Sequence, residues 1–228
     1  MKNLLKQTAG VTAIGRHSIK GKTRSGLTLE GKAKATWSGR NLPQGFKVIA
    51  RAGELPRQRM TARKIVNAYS GSREMRIPIA PELGFQWFKN MSEVEKMIAQ
   101  KGDPVVEAEW IDEKIPTTIL ENPLVVGRVV LKNAIQETKN LMSASPDRPF
   151  HLNLTSSWFG AAMLKALGID YRTIKPKRPR SKNPPKKGQT LKETEALLFF
   201  HLPDGRTILR FRGHAFDVTR PLEKILNS

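Results

Sequence analysis

Pro104-Val-Val-Glu-Ala-Glu-Trp-Ile111, Ile115-Pro-Thr-Thr-Ile-Leu120 and Leu124-Val-Val-Gly-Arg-Val-Val-Leu131 form the β-branched centre of the chain, and their reading decides the fold. Short runs rich in Val, Ile and Thr, separated by Asp, Glu, Lys, Asn and Pro, have the composition of strands. A helix is then expected from about Lys132 to Met142, with a connector over 143–149. Downstream, Ser156 or Ser157 caps an apolar helix, Trp158 to Leu167, which Gly168 stops. Ala196–Leu202 and Thr207–Phe211 flank Pro203-Asp-Gly-Arg206, a hairpin signal, and a terminal helix begins near Pro221.

Upstream, Ser92-Glu-Val-Glu95 is a capping box opening a helix that ends before Gly102. Met75 to Ile79 reads as an edge strand, because Pro78 cannot donate to a ladder. Pro56 to Ser70, closed by Gly71, is a helix: Ala62, Ile65, Val66 and Tyr69 make one apolar stripe. Phe46 to Ala50 is a strand. These elements predict an α+β protein with a mixed or antiparallel sheet and packed helices. Its parts are a basic, Gly-rich extended N-terminal arm (1–45), an α+β core (46–171), a long basic Pro-rich loop (172–192), and a hairpin with a C-terminal helix completing the core (193–228).

The charge sharpens that division. The 228 residues carry a net charge of +20, with +8 over 1–45, +6 over 46–80, −3 over 81–150 and +8 over 169–192. A field concentrated in this way speaks of partners. The candidate contacts are Arg16, Lys20, Lys22, Arg24, Lys32, Lys34 and Arg40 in the arm, with Trp37 to stack on a base or anchor the arm. Arg57, Arg59, Arg63 and Lys64 form the polar arc of the 56–70 helix. Lys175, Lys177, Arg178, Arg180, Lys182, Lys186 and Lys187 lie on a stretch whose four prolines block a helix. Together they predict a non-catalytic nucleic-acid-binding protein that neutralises the phosphate backbone of DNA or RNA within a larger nucleoprotein assembly.

Two other readings stand beside it. Asp103, Glu107, Glu109, Asp112 and Glu113, with Lys114 near, suggest a metal-dependent nuclease in which Glu107 and Glu109 share one face of a strand. Alternatively, the charge answers an acidic protein partner. His201 and His214 each precede an aspartate by three residues, Asp204 and Asp217, but Asp204 is explained as a turn residue and His214 as a structural one. A zinc site from His151, His201 and His214 has no supporting spacing. No Walker loop, dinucleotide fingerprint or zinc finger is present, and no cofactor is implied. With no cysteine, disulfides, thiolate metal sites and a cysteine nucleophile are excluded. No run is apolar enough to span a membrane, and Met1-Lys-Asn-Leu-Leu-Lys6 lacks the apolar stretch of a secretory signal. An intracellular, non-membrane protein of cytoplasm, nucleoid or virion is therefore expected.

Thr155-Ser-Ser-Trp-Phe-Gly-Ala-Ala-Met-Leu-Lys-Ala-Leu-Gly168, followed by Gly213-His-Ala-Phe-Asp217, faintly resembles papain-like cysteine peptidases, where a nucleophile opens an apolar helix and a histidine arrives on a later strand. Serine stands at 156 and 157 here, so the thiolate chemistry that the resemblance implies is absent, and the hydroxyls read as helix caps.

Overall fold

The computed structural model describes residues 2–17, 26–71, 76–175 and 195–228. In chain order the elements are α1 (Lys2–Gln7), β1 (Gly10–Arg16), α2 (Leu29–Arg40), β2 (Lys47–Ala52), α3 (Pro56–Ser70), α4 (Met91–Lys101), α5 (Asp103–Ile111), α6 (Pro123–Ala144), β3 (Pro149–Thr155), α7 (Ser157–Ala166), β4 (Ala196–His201), β5 (Thr207–Phe211), β6 (His214–Asp217) and α8 (Thr219–Leu226). The fold is α+β, as the sequence predicts, with one mixed sheet of order β2-β3-β1-β4-β5-β6 and packed helices. β2, β3 and β1 are parallel; β4, β5 and β6 continue antiparallel.

Alternation along β1 sends Val11 and Ala13 to one face, where Ala35 of α2 and Ala62, Ile65 and Val66 of α3 cover them. Ile14 faces the other way, into a cluster with Trp110 of α5, Leu131 and Ile135 of α6, Phe159 and Met163 of α7, and Leu222 of α8. Each cluster removes a broad apolar surface from water, the main drive for this arrangement.

The β-branched centre is helical. Pro104 and Pro123 sit in the first turns of α5 and α6, where a missing N–H costs nothing, and the Asn122 side chain accepts a 2.9 Å bond from Leu124 N. Val126, Val130, Leu131, Ala134, Ile135 and Thr138 are buried at helical spacing, so α6 begins nine residues before Lys132. The 115–120 run is turn structure with one isolated bridge, Phe88 to Leu120. Packing overrides β propensity here.

The described part of the N-terminal stretch is not an extended arm. β1 is the buried strand between β3 and β4, and α2 is a helix capped by Thr28, whose Oγ1 accepts from Gly31 N at 2.9 Å. Gly39, one of the glycines of the expected arm, is a contact point between α2 and α3: a Cβ on it would lie 2.1 Å from the Ile65 carbonyl oxygen. Lys20, Lys22 and Arg24 lie outside the described residues, as does the loop from 176 to 192. α3 has the predicted bounds, with Gly71 left-handed at φ 71°. α4 is capped by Asn90 instead of Ser92, and Ile79 makes only an isolated bridge to Ala52. β3 begins at Pro149, the last residue of the expected connector, and runs through a stretch for which the sequence predicts no element.

Candidate functional site

The carboxyl ends of β1, β2 and β3 emerge on one edge of the sheet, and the chain order reverses around β1, whose neighbours are β3 on one side and β4 on the other. Open sheets hold ligands in the crevice outside such a point. β1 delivers Arg16 and His17 there. β2 leads through Gly53 into the first turn of α3, with Arg57 and Gln58. β3 delivers Thr155 and Ser156, and α7 follows at once.

Backbone bonds fix these ends together. His17 N donates to Thr155 O at 3.2 Å, Gly53 N to Leu154 O at 3.1 Å, and Arg16 N to Glu195 O at 3.0 Å. His17 is buried, and Arg57 Nε donates to His17 Nε2 at 3.2 Å. That nitrogen therefore presents a lone pair toward a cation. Burial, then the charge of Arg16, hold the Arg57 guanidinium below its usual pKa, with Asp103 opposing. Two guanidiniums that repel one another beside an imidazole lone pair form a setting that an oxyanion relieves.

Around this group Gln58 Oε1 accepts from Leu55 N at 3.2 Å, and Thr155 Oγ1 donates to Leu83 O at 2.8 Å. α5 lies over the first turn of α7: Trp158 Nε1 donates to Asp103 Oδ1 at 2.9 Å and Ser157 Oγ to Glu107 Oε2 at 2.8 Å. Glu107 is fully buried. Imidazole, guanidiniums and carboxyls together can bind a tetrahedral oxyanion and move a group onto and off nitrogen.

Of the residues expected to contact a polyanion, the structure brings together Arg16 and Arg57. Lys32, Lys34, Trp37 and Arg40 ride on α2; Lys34 pairs with Glu30 at 2.9 Å, and Trp37 is exposed. Arg63 and Lys64 face solvent, while Arg59 is half-buried. The backbone carbonyl of Lys175 meets His214 Nε2 at 2.9 Å. Lys177, Arg178, Arg180, Lys182, Lys186 and Lys187 lie outside the described residues. His17 escaped the sequence reading altogether. A β-prone run, Val11 to Ile14, ending in Arg-His was the available signal, and the surrounding glycines and lysines masked it.

The nuclease and zinc readings do not match the geometry. Glu107 and Glu109 belong to a helix, so the two point to different sides; Glu109 pairs with Lys101 at 3.0 Å. His151 and His201 are hydrogen-bonded to threonines inside the sheet, and among the described residues no three His, Asp or Glu side chains converge to hold a metal ion. Ser156 occupies the N-cap position of α7 without making the side-chain capping bond that the sequence predicts. A hollow of about 550 Å³, lined by Ile111, Asp112, Lys165 and Tyr171 among others, lies beyond the far end of α7, and its charges pair with each other and with Glu113.

No protein-family model matches the chain, and no curated protein matches its sequence. Solved structures match its fold over most of its length. The product of the Rv3214 open reading frame of Mycobacterium tuberculosis is 13% identical with a TM-score of 0.53, covering 90% of this chain and 97% of that one. A phosphoserine phosphatase of Entamoeba histolytica, in complex with 3-phosphoglyceric acid, is 14% identical with a TM-score of 0.51, covering 93% and 99%. A phytase of Klebsiella sp. ASR1 is 14% identical with a TM-score of 0.51, covering 89% and 80%. At such identities the likeness establishes the fold alone. It also corrects the expectation of a non-catalytic nucleic-acid-binding protein, because the fold neighbours include enzymes, a phosphoserine phosphatase and a phytase. Locally, Arg16 and Arg57 converge on a histidine instead of lining a backbone track.

Proposed function

We propose that this chain is a phosphatase acting on phosphate monoesters through His17. The observation that carries the reading is the 3.2 Å bond from Arg57 Nε to His17 Nε2, at the carboxyl end of β1 and next to Arg16. The shared fold supports it.

In this reading the phosphoryl oxygens take over the guanidinium donors of Arg16 and Arg57, which frees the Nε2 lone pair. Nε2 attacks phosphorus, the P–N bond forms, and the bond from phosphorus to the ester oxygen breaks. The leaving alkoxide takes a proton from a carboxyl on α5, Asp103 or Glu107. Water then attacks phosphorus, giving its proton back to that carboxylate; the P–N bond breaks, and inorganic phosphate leaves with the imidazole restored. The guanidiniums balance the charge that gathers on the transferring group.

The test is turnover of a ³²P-labelled phosphate monoester quenched in alkaline detergent, with label retained on protein and phosphate release both counted. Acid-labile, alkali-stable label on the wild type, lost in His17→Ala together with hydrolysis, is the expected result. Hydrolysis that persists in His17→Ala at the wild-type rate overturns the reading.

A further inference from the structure

We infer that Ser156 is a further phosphoryl-binding residue, its hydroxyl donating to an oxygen of the group that His17 receives. The inference rests on the phosphatase reading above and names a contact that the reading does not require.

The first argument is register. β1 and β3 pair in parallel with Arg16 opposite Thr155, so His17 and Ser156 are each one residue beyond the last matched pair. The bond from His17 N to Thr155 O draws the two ends together at that level. Ser156 is therefore the cross-strand neighbour of the histidine.

The second argument is the hydroxyl itself. Ser156 Oγ is buried from solvent and has no hydrogen-bond partner among the described residues. Buried hydroxyls in folded proteins nearly always find one, and an exception one residue beyond the strand end that pairs with Arg16 and lies level with His17 calls for a ligand. A group with one donor and two lone pairs suits an oxyanion.

The third argument is what Ser156 leaves undone. Its backbone has the extended geometry of an N-cap (φ −101°, ψ 169°), yet the side chain makes no capping bond. Ser157 does not cap either, because its hydroxyl donates to Glu107. No acidic side chain stands in the first turn of α7, a helix of ten residues. The leading N–H groups of α7 thus keep their partial positive charge on the side where Ser156 stands. An anion held by Arg16 and Arg57 against His17 gives the hydroxyl the acceptor that it lacks.

The experiment measures binding of inorganic phosphate and of orthovanadate to the full chain by calorimetry, for wild type, Ser156→Ala and Ser156→Thr, with the thermal midpoint of each variant recorded without ligand. Ser156→Ala is expected to weaken both anions ~10- to 100-fold, the loss of one hydrogen bond to a charged group. Its midpoint should hold or rise, because a partnerless buried hydroxyl is removed, and Ser156→Thr should bind within a few-fold of wild type. Wild-type affinity in Ser156→Ala, or a midpoint that falls by several degrees, overturns the assignment, since the hydroxyl then has a partner within the protein. If Ser156→Ala changes nothing while hydrolysis still depends on His17, this inference fails and the phosphatase reading stands. If the wild type neither binds nor hydrolyses, both fall.

Discussion

Histidine appears in two settings on adjoining strands, His17 just beyond the carboxyl end of β1 and His151 and His201 within β3 and β4, in the middle of the sheet. In the middle, every proton can be assigned. Thr207 Oγ1 lies 3.2 Å from His201 Nδ1, and His201 Nε2 lies 2.8 Å from Thr12 Oγ1. Thr12 donates to Thr138 at 2.7 Å, Thr138 donates to Ala134 O at 2.8 Å, and His151 Nδ1 meets Thr138 at 3.0 Å. Each threonine has one proton to give. Thr207 therefore donates to His201, whose Nε2–H donates to Thr12, while His151 donates through Nδ1–H. Both rings are neutral, and every donor in the chain has its acceptor, which closes it. The His151 Nε2 lone pair is left buried without a hydrogen-bond partner among the described residues, 3.8 Å from Glu137 Oε1. At the strand ends, His17 meets a guanidinium, and Ser156 meets nothing among the described residues. Inside the sheet each proton has an acceptor and holds the strands in register; at the strand ends a hydroxyl proton is left without one.

The largest effect that separates the two settings is on turnover. His17→Ala should lower kcat/KM on the order of 10⁴-fold or more, as removal of a nucleophile does, while leaving the urea midpoint close to wild type. Steady-state kinetics and denaturant unfolding on one preparation check both halves. A collapse in stability would place His17 with the structural histidines.

Acid should reach the middle of the sheet. Burial, then the charge of Lys139, lowers the His201 pKa to about 4 from 6.5. Burial, then Arg51, lowers that of His151 to about 3, with the Ala134 carbonyl opposing. The unfolded chain takes up these protons near 6.5 and the folded chain does not. Stability from the neutral rings is therefore complete above pH 6.5 and falls steadily as the pH drops toward 4. Urea midpoints between pH 8 and pH 4.5 should show this slope, and Thr12→Val, which removes the acceptor of His201 and the donor to Thr138, should not flatten it while both rings remain.

Thr138→Val tests the closed network directly. It strands the Thr12 hydroxyl and His151 Nδ1–H without acceptors, a cost of about 3 kcal/mol, read from the urea midpoint. A change below ~1 kcal/mol would mean that the network has slack.

How far the sequence reveals this depends on range. α3 is legible to the residue, because Pro56 and Gly71 mark its ends by local backbone chemistry, and the β4–β5 hairpin follows from Asp204-Gly205. α5 and the start of α6 are not, since Val and Ile in a helix buried on several sides carry strand composition. β3 does carry a local signal, Phe150, Leu152 and Leu154 alternating with His151, Asn153 and Thr155. Its polar face is buried as well, His151 against Thr138, Asn153 against Arg51 and Thr155 against the Leu83 carbonyl, which the pattern alone does not announce. For the site, charge alone singles out Arg16 and Arg57. Their meeting with His17 depends on pairing between strands that are about 140 positions apart, which no local pattern encodes.

The smallest effect comes from the acidic cluster and separates its two glutamates. On α5, Glu107 and Glu109 are about 200° apart around the axis, so one faces α7 and the other faces Lys101. Asp103→Asn or Glu107→Gln should slow hydrolysis of an alkyl phosphate ~10²-fold and that of a nitrophenyl phosphate far less, because a phenolate leaves without a proton. The carboxyl that shows this dependence on the leaving group is the proton donor. Glu109→Gln should leave both substrates at the wild-type rate and lower the unfolding free energy, read from the urea midpoint, by no more than ~0.5 kcal/mol, because it breaks one partly exposed ion pair. Equal losses for both glutamate variants would mean that α5 acts through its fold alone and donates no proton from this face.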